Sequence, residues 1–207
     1  MRGFWSRLAQ GSVLVRFAGL LGLYLTIFLA AVVIGHLLLP EGLLRGYSEG
    51  RGGSAVEGFW TIAGQLVLFN LMAFGVVLVT AMFASRRDDQ RAFVPTSVTV
   101  LVVLAALNGT ILGTNSFAMR TENTGLIEKT VGLLDITRYA ALWEIAALVL
   151  LAAALFTKAL VLRTGRDTRT RRLRELTWDR GELIALAIAP ALLLVGALVE
   201  AAAVARL

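Results

Sequence analysis

Two acidic residues stand inside apolar runs: Glu144 in Leu142-Trp143-Glu144-Ile145-Ala146-Ala147, and Glu200 in Leu198-Val199-Glu200-Ala201. An ionisable group among residues of that kind is costly and is a functional suspect by default. Two carboxyl groups brought together in a low-dielectric medium resist ionising together, so one keeps its proton and the pair combines an acid with a base. Asn70 and Gln65, and further along Asn108 and Asn115, add amides that would line the same polar cavity or serve as hydrogen-bonding glue between helices. His36 is the single histidine and stands near the end of its apolar run, where an interface residue is expected.

Other chemistries are excluded by residue type. One histidine and no cysteine leave no His-Glu-x-x-His, no thiolate metal site and no cysteine nucleophile. Gly-x-Ser-x-Gly and the Walker phosphate loop are also missing, so neither a serine elbow nor P-loop nucleotide hydrolysis is expected. The expectation is no metal and no cofactor.

The elements that must position these residues are membrane spans. The chain has 207 residues, 57% of them hydrophobic and 16% charged, with a mean hydropathy of +0.77. A water-soluble chain carries about a quarter charged residues, so this one cannot cover its surface in water. Five stretches meet the requirement of about 20 largely apolar residues: Phe17 to Leu39, Gly58 to Ser85, Ala92 to Met119, Tyr139 to Thr157 and Leu183 to Ala205. The second and third exceed what a bilayer needs and should tilt or protrude. Pro95 falls in the first turn of the third, and Pro190 interrupts the fifth, freeing the carbonyl of Leu186. The first run is too long for a signal peptide and has no small-x-small site before Pro40, so a permanent helix is expected.

Most of the 20 basic residues precede the first span, join the second to the third, or join the fourth to the fifth. The positive-inside rule then sets the N-terminus in the cytoplasm and the C-terminus outside. The fold class expected is an all-α polytopic bundle, one transmembrane domain over 1–207 in the plasma membrane. By helical rise Glu144 and Glu200 fall roughly 7–8 Å from the outer ends of their helices, with carboxyl groups within about 8 Å of each other, close enough for Coulomb coupling. Glycines such as Gly19, Gly22, Gly64, Gly75, Gly109, Gly113 and Gly196 suit close helix packing.

Two loops have character of their own. The arginine-rich stretch from Arg163 to Arg180 includes Arg166, Arg169, Arg171, Arg172 and Arg174, with Leu173, Leu176 and Trp178 interspersed. It reads as ordinary cytoplasmic loop charge, or as an interfacial helix that grips anionic lipid or a protein partner. Thr121 to Arg138 reads as an amphipathic helix on the outer face. The net charge of +6 is explained by these loops, without nucleic acid.

Four segments resemble the stage II sporulation protein M-like family of membrane proteins. They are Leu66-Val67-Leu68-Phe69-Asn70 with Ala73-Phe74-Gly75; Asn108-Gly109-Thr110-Ile111-Leu112-Gly113; Leu142-Trp143-Glu144-Ile145-Ala146-Ala147; and Leu193 to Ala201 with Glu200. The sequence departs from the family pattern at Ala140 and Ala141, where His-Gly is common, and at Leu71, where a second asparagine often stands. The resemblance implies a multi-pass protein that works in complexes, among them engulfment assemblies with cell-wall hydrolases and bacteriocin maturation, export or self-protection. The expected function is therefore a non-enzymatic membrane component with an outer-facing polar cavity for a peptide or lipid-like ligand. Its expected partners are the bilayer, other membrane or cytoplasmic proteins, a further copy of the chain, and a hydrophobic peptide. Two alternatives stay open: a peptide-maturing or cyclising enzyme using Glu144 and Glu200, and a permease partner of an ATP-driven exporter.

Overall fold

The computed structural model describes residues 3–45, 58–86, 92–116 and 140–205. The elements run α1 (Phe4–Gln10), α2 (Val13–Leu38), α3 (Phe59–Ala81), β1 (Phe83–Arg86), β2 (Val94–Pro95), α4 (Thr96–Gly113), α5 (Ala140–Leu155), β3 (Val161–Thr164), β4 (Asp167–Thr170), a 3-10 turn (Leu173–Glu175) and α6 (Arg180–Val204). Four of the helices, α2, α3, α4 and α6, are long and apolar enough to cross a membrane; α5 is apolar but has 16 residues. Leu14, Leu38 and Trp60 are at least 70% exposed. Side chains of that kind spread along whole helices call for lipid rather than water.

α5 is the central helix. Val149, Leu151, Ala152, Ala153 and Ala154 are buried there, and α2, α3, α4 and α6 all pack on it. A helix apolar all round has no water-facing side and must be enclosed, and its run of alanines lets neighbours come close. The tightest pairing is α2 with α4. Cβ atoms at Gly109 and Gly113 would stand 2.4 Å and 2.3 Å from the carbonyl oxygens of Phe28 and Val32, so the two backbones touch where only glycine fits. Gly196 on α6 is similarly close to α5. Gly22, Gly64 and Gly75 face open space, so close packing within the chain is not their role.

At one end of the bundle lies a four-stranded sheet in the order β2-β1-β3-β4. β1 pairs antiparallel with β2, Ala84 opposite Pro95, and parallel with β3, Ala84 beside Leu162; β3 pairs antiparallel with β4, Leu162 opposite Arg169. The sheet explains the excess length of the second and third apolar runs. α3 stops at Ala81, and after Met82 the chain becomes a strand whose hydrogen bonding is completed by β2 and β3. Pro95 consequently ends β2 and caps α4 rather than sitting in its first turn. The stretch from Arg163 to Arg180 is not an interfacial helix either. Thr164-Gly165-Arg166-Asp167 makes a hairpin turn with Gly165 at φ 53°, a conformation that favours glycine. The expected outer helix of Thr121 to Arg138 and the last residues of the third run lie outside the described residues.

Candidate functional site

Position along the helices determines which polar residues can meet. Tyr24, Asn70, Asn108 and Glu144 each lie about eleven or twelve residues from the sheet-side end of α2, α3, α4 and α5 respectively. At 1.5 Å per residue that is about 16–18 Å, near the middle of a hydrocarbon layer about 30 Å thick. The ends are level with one another, because Val13, Ala154 and Ala185 share one cluster and Leu160 donates to the carbonyl of Met82. Glu144, only four residues past the start of α5, is therefore level with Tyr24, Asn70 and Asn108.

Glu200 stands about one helical turn farther from the sheet. A helical side chain leans toward its own N-terminus. The Glu200 side chain on α6 thus reaches back toward the sheet, and that of Glu144 on antiparallel α5 reaches away from it, so the two meet. Their carboxyl groups are close enough to act on each other directly. Two ionised carboxylates offer acceptors only, so a hydrogen bond between them would need a proton. Asn70 donates its side-chain amide to Oε1 of Glu144. Gly196 leaves the room: a Cβ there would stand 3.1 Å from Cγ of Glu144 and 3.2 Å from Cβ of Trp143. All three polar residues are half-buried.

Beside the pair, Asn108 donates to the hydroxyl of buried Tyr24 at 3.1 Å, and Glu144 acts electrostatically on that hydroxyl. The bundle thus brings together four of the expected cavity residues, Asn70, Asn108, Glu144 and Glu200, and adds Tyr24. Asn115 does not join them. It lies past the end of α4 with φ 50°, and its amide donates to Oε1 of Glu41 at 2.7 Å. There Gly42 also donates to the carbonyl of Thr114 and Leu44 to Oγ of Ser116, so Asn115 clamps a loop at the end of the bundle far from the sheet. His36 is half-buried in the last turn of α2 at that same end.

A second polar cluster escaped the reading of the sequence. Arg16 Nη1 and Lys158 Nζ stand 2.8 Å and 2.7 Å from the two carboxylate oxygens of Glu182, with all three residues buried. Arg16 Nε also donates to the carbonyl of Leu8, Lys158 to that of Thr177, and Lys158 lies over the ring of Trp178. Asp179 N–H donates to Glu182 at 2.9 Å and the Asp179 carboxylate accepts from Gly181, a capping box that starts α6. The spacing Asp179-x-x-Glu182 was the available signal. Arg16 and Glu182 read instead as the boundaries of apolar runs, since nothing local shows that two boundary charges on distant spans will meet.

Arg166, Arg169, Arg171, Arg172 and Arg174 are all exposed on the hairpin and the turn that follows it. Among the described residues none of them makes an ion pair, and no group of acids and histidines there is arranged to hold a metal. Comparison with known proteins leaves the site to be read from its own geometry, since no family model, no curated protein and no solved structure matches this chain.

Proposed function

We propose that this chain is a multi-pass membrane component that assembles with other proteins and holds a peptide or lipid-like ligand at its intramembrane carboxyl pair. The observation that carries the reading is the meeting of Asn70, Glu144 and Glu200 between α3, α5 and α6. A carboxyl pair sharing a proton bears at most one net charge, which lowers a cost of about 2.5–3.5 kcal/mol for each lone charge at the centre of a span. It still presents acceptors to an amide, a hydroxyl or an ammonium group on a ligand. The resemblance to stage II sporulation protein M-like proteins points toward work within a complex.

The proposed topology has five spans, with α5 as the fourth, an N-terminus in the cytoplasm and a C-terminus outside. The sheet and its arginines then face the cytoplasm, in keeping with the distribution of basic residues. A plasma-membrane location follows from the same reading. Mild-detergent purification with identification of co-purifying chains tests it. Partners retained by the wild type and lost in Glu144→Gln with Glu200→Gln, in a protein that still folds, are the expected result. A solitary protein with turnover of its own would end the reading.

One observation favours a second reading. Glu144 and Glu200 lie close together, and two neighbouring carboxyl groups of which one kept its proton would be equipped for proton transfer to a peptide bond, with water or a substrate amine as the attacking group. Incubation of the purified protein with a hydrophobic precursor peptide, followed by mass measurement, separates the two.

A further inference from the structure

Between α1 and the sheet lies a cavity of about 240 Å³ whose lining includes Ser6, Gln10, Phe93, Phe156, Thr157 and Arg171. It is smaller than the roughly 300–1,000 Å³ of sites that enclose a whole drug-sized ligand. Its lining residues are mostly apolar, with Arg171 among the few polar ones. Arg171 is held there by its backbone, whose N–H donates to the carbonyl of Leu160 at 2.7 Å, yet its side chain makes no ion pair among the described residues. A second guanidinium stands over Phe93, one of the lining residues. Arg86 lies over the ring of Phe93 at 5.0 Å, and its buried Nε has no hydrogen-bond partner. A buried donor left unsatisfied costs about 1–3 kcal/mol, which an acceptor entering from the groove would recover.

The height of the groove narrows the choice of occupant. It is level with the sheet-side ends of the helices, where apolar spans give way to polar residues. Trp5 on α1 and Trp178 before α6 are at this end, as expected at a headgroup layer. Leu173, 67% exposed, stands between Arg172 and Arg174, an apolar anchor flanked by cations. Across the sheet the row Pro95, Ala84, Leu162 and Arg169 shares one face, buried as far as Leu162 and ending in exposed Arg169.

We infer that this groove is a binding site for the headgroup of an anionic phospholipid, with Arg171 and Arg86 meeting the phosphate. Guanidinium groups suit phosphate because their planar fork donates two parallel hydrogen bonds. The apolar walls exclude a fully hydrated free anion and accept the glycerol and first methylenes of a lipid. The inference rests on membrane insertion and not on the carboxyl pair, so Glu144 and Glu200 variants should leave it untouched.

Native mass spectrometry of the detergent-purified full chain, titrated with phosphatidylglycerol or phosphatidylcholine, tests it. Retained phosphatidylglycerol adducts and few phosphatidylcholine adducts are expected. Arg171→Gln and Arg86→Gln should each weaken retention by about tenfold, the usual effect of losing one charge-assisted hydrogen bond, and Arg171→Lys should recover part of it. Arg166→Gln, at the hairpin tip, should change little. Equal retention of the two lipids would overturn the site. So would an Arg166→Gln loss as large as that of Arg171→Gln, which would mean diffuse surface charge. Displacement of phosphatidylglycerol by millimolar inorganic phosphate would show a free-anion site and overturn the lipid assignment.

Discussion

Replacing Gly109 by alanine puts one methyl group where α2 and α4 touch. The new Cβ would stand 2.4 Å from the carbonyl oxygen of Phe28 and 2.8 Å from Cβ of Ala31, where ordinary contact begins at 3.4 Å. The obstacle is backbone, so it cannot rotate away; the helices must part by about 1 Å locally. A gap of 0.5–1 Å forfeits about a quarter to a half of the dispersion energy of each contact across it, and overpacking of this kind costs about 1–3 kcal/mol. The neighbouring bond from Asn108 to Tyr24 spans the same interface, and its loss adds about 1 kcal/mol. Against this, alanine improves helix propensity by about 1 kcal/mol. The net expectation is a loss of about 1–3 kcal/mol.

Gly64→Ala on α3 is the matched control. It makes the same chemical change in a helix interior where nothing stands within 4 Å, so only the propensity gain remains, up to about 1 kcal/mol. Titration of the protein from mild detergent into dodecyl sulfate, followed by far-ultraviolet circular dichroism, measures both. The two variants should bracket the wild type, separated by about 2–4 kcal/mol from the sum of these effects. If Gly109→Ala unfolds together with Gly64→Ala, the close approach of α2 and α4 is wrong.

Glu182→Ala should destabilise the same unfolding transition by about 3–5 kcal/mol, because it strands Arg16 and Lys158 as buried cations. Glu144→Gln and Glu200→Gln should each change stability by no more than about 1 kcal/mol, since an amide can replace the shared proton as donor, while capture of ligand or partner in pull-down is lost. Gly196→Val should reduce that capture without touching either carboxyl, because it crowds Cγ of Glu144 and Cβ of Trp143. A Gly196→Val protein that captures like the wild type would mean that the position of Glu144 does not matter.

What the sequence made legible follows from how local each signal is. Apolar runs long enough to span identify α2, α3, α4 and α6, because length and hydropathy are properties of one segment. The sheet escapes the same reading, since Phe83-Ala84-Ser85-Arg86 and Val94-Pro95 are short apolar continuations of helical runs, and only pairing with β3 makes them strands. The convergence of Asn70, Glu144 and Glu200 was legible as residue type and as matching height on antiparallel helices. Height counted from the outer ends of the runs gave that match. Height counted from the sheet, where the described helix ends are level, puts Glu144 beside Tyr24, Asn70 and Asn108. Asn115 was grouped with the cavity by its amide alone, although two residues past the end of α4 it belongs to the loop.

The two polar clusters are linked through one pair of helices. Glu182 and Glu200 both belong to α6, Glu144 belongs to α5, and Lys158 follows α5 directly. The contact of Lys158 with Glu182 fixes the register of α6 against α5 at the sheet, and the close approach of Gly196 to Glu144 fixes it again about 20 Å farther along by helical rise. Slipping α6 by one turn, about 5.4 Å, would break the ion pair and separate the carboxyl groups at once. An apolar interface of leucine and alanine tolerates such slips, because one turn of alanine resembles the next. Buried polar contacts do not, and a single buried asparagine can set helix register at a cost in stability. The Arg16, Lys158 and Glu182 cluster therefore acts on the carboxyl pair through register. Replacing all three by apolar residues of similar volume should preserve or raise stability while loosening the alignment of Glu144 with Glu200. Crosslinking of paired cysteines at Trp143 and Gly196, whose Cβ positions would lie 3.2 Å apart, should then yield more than one register, where the native cluster yields one.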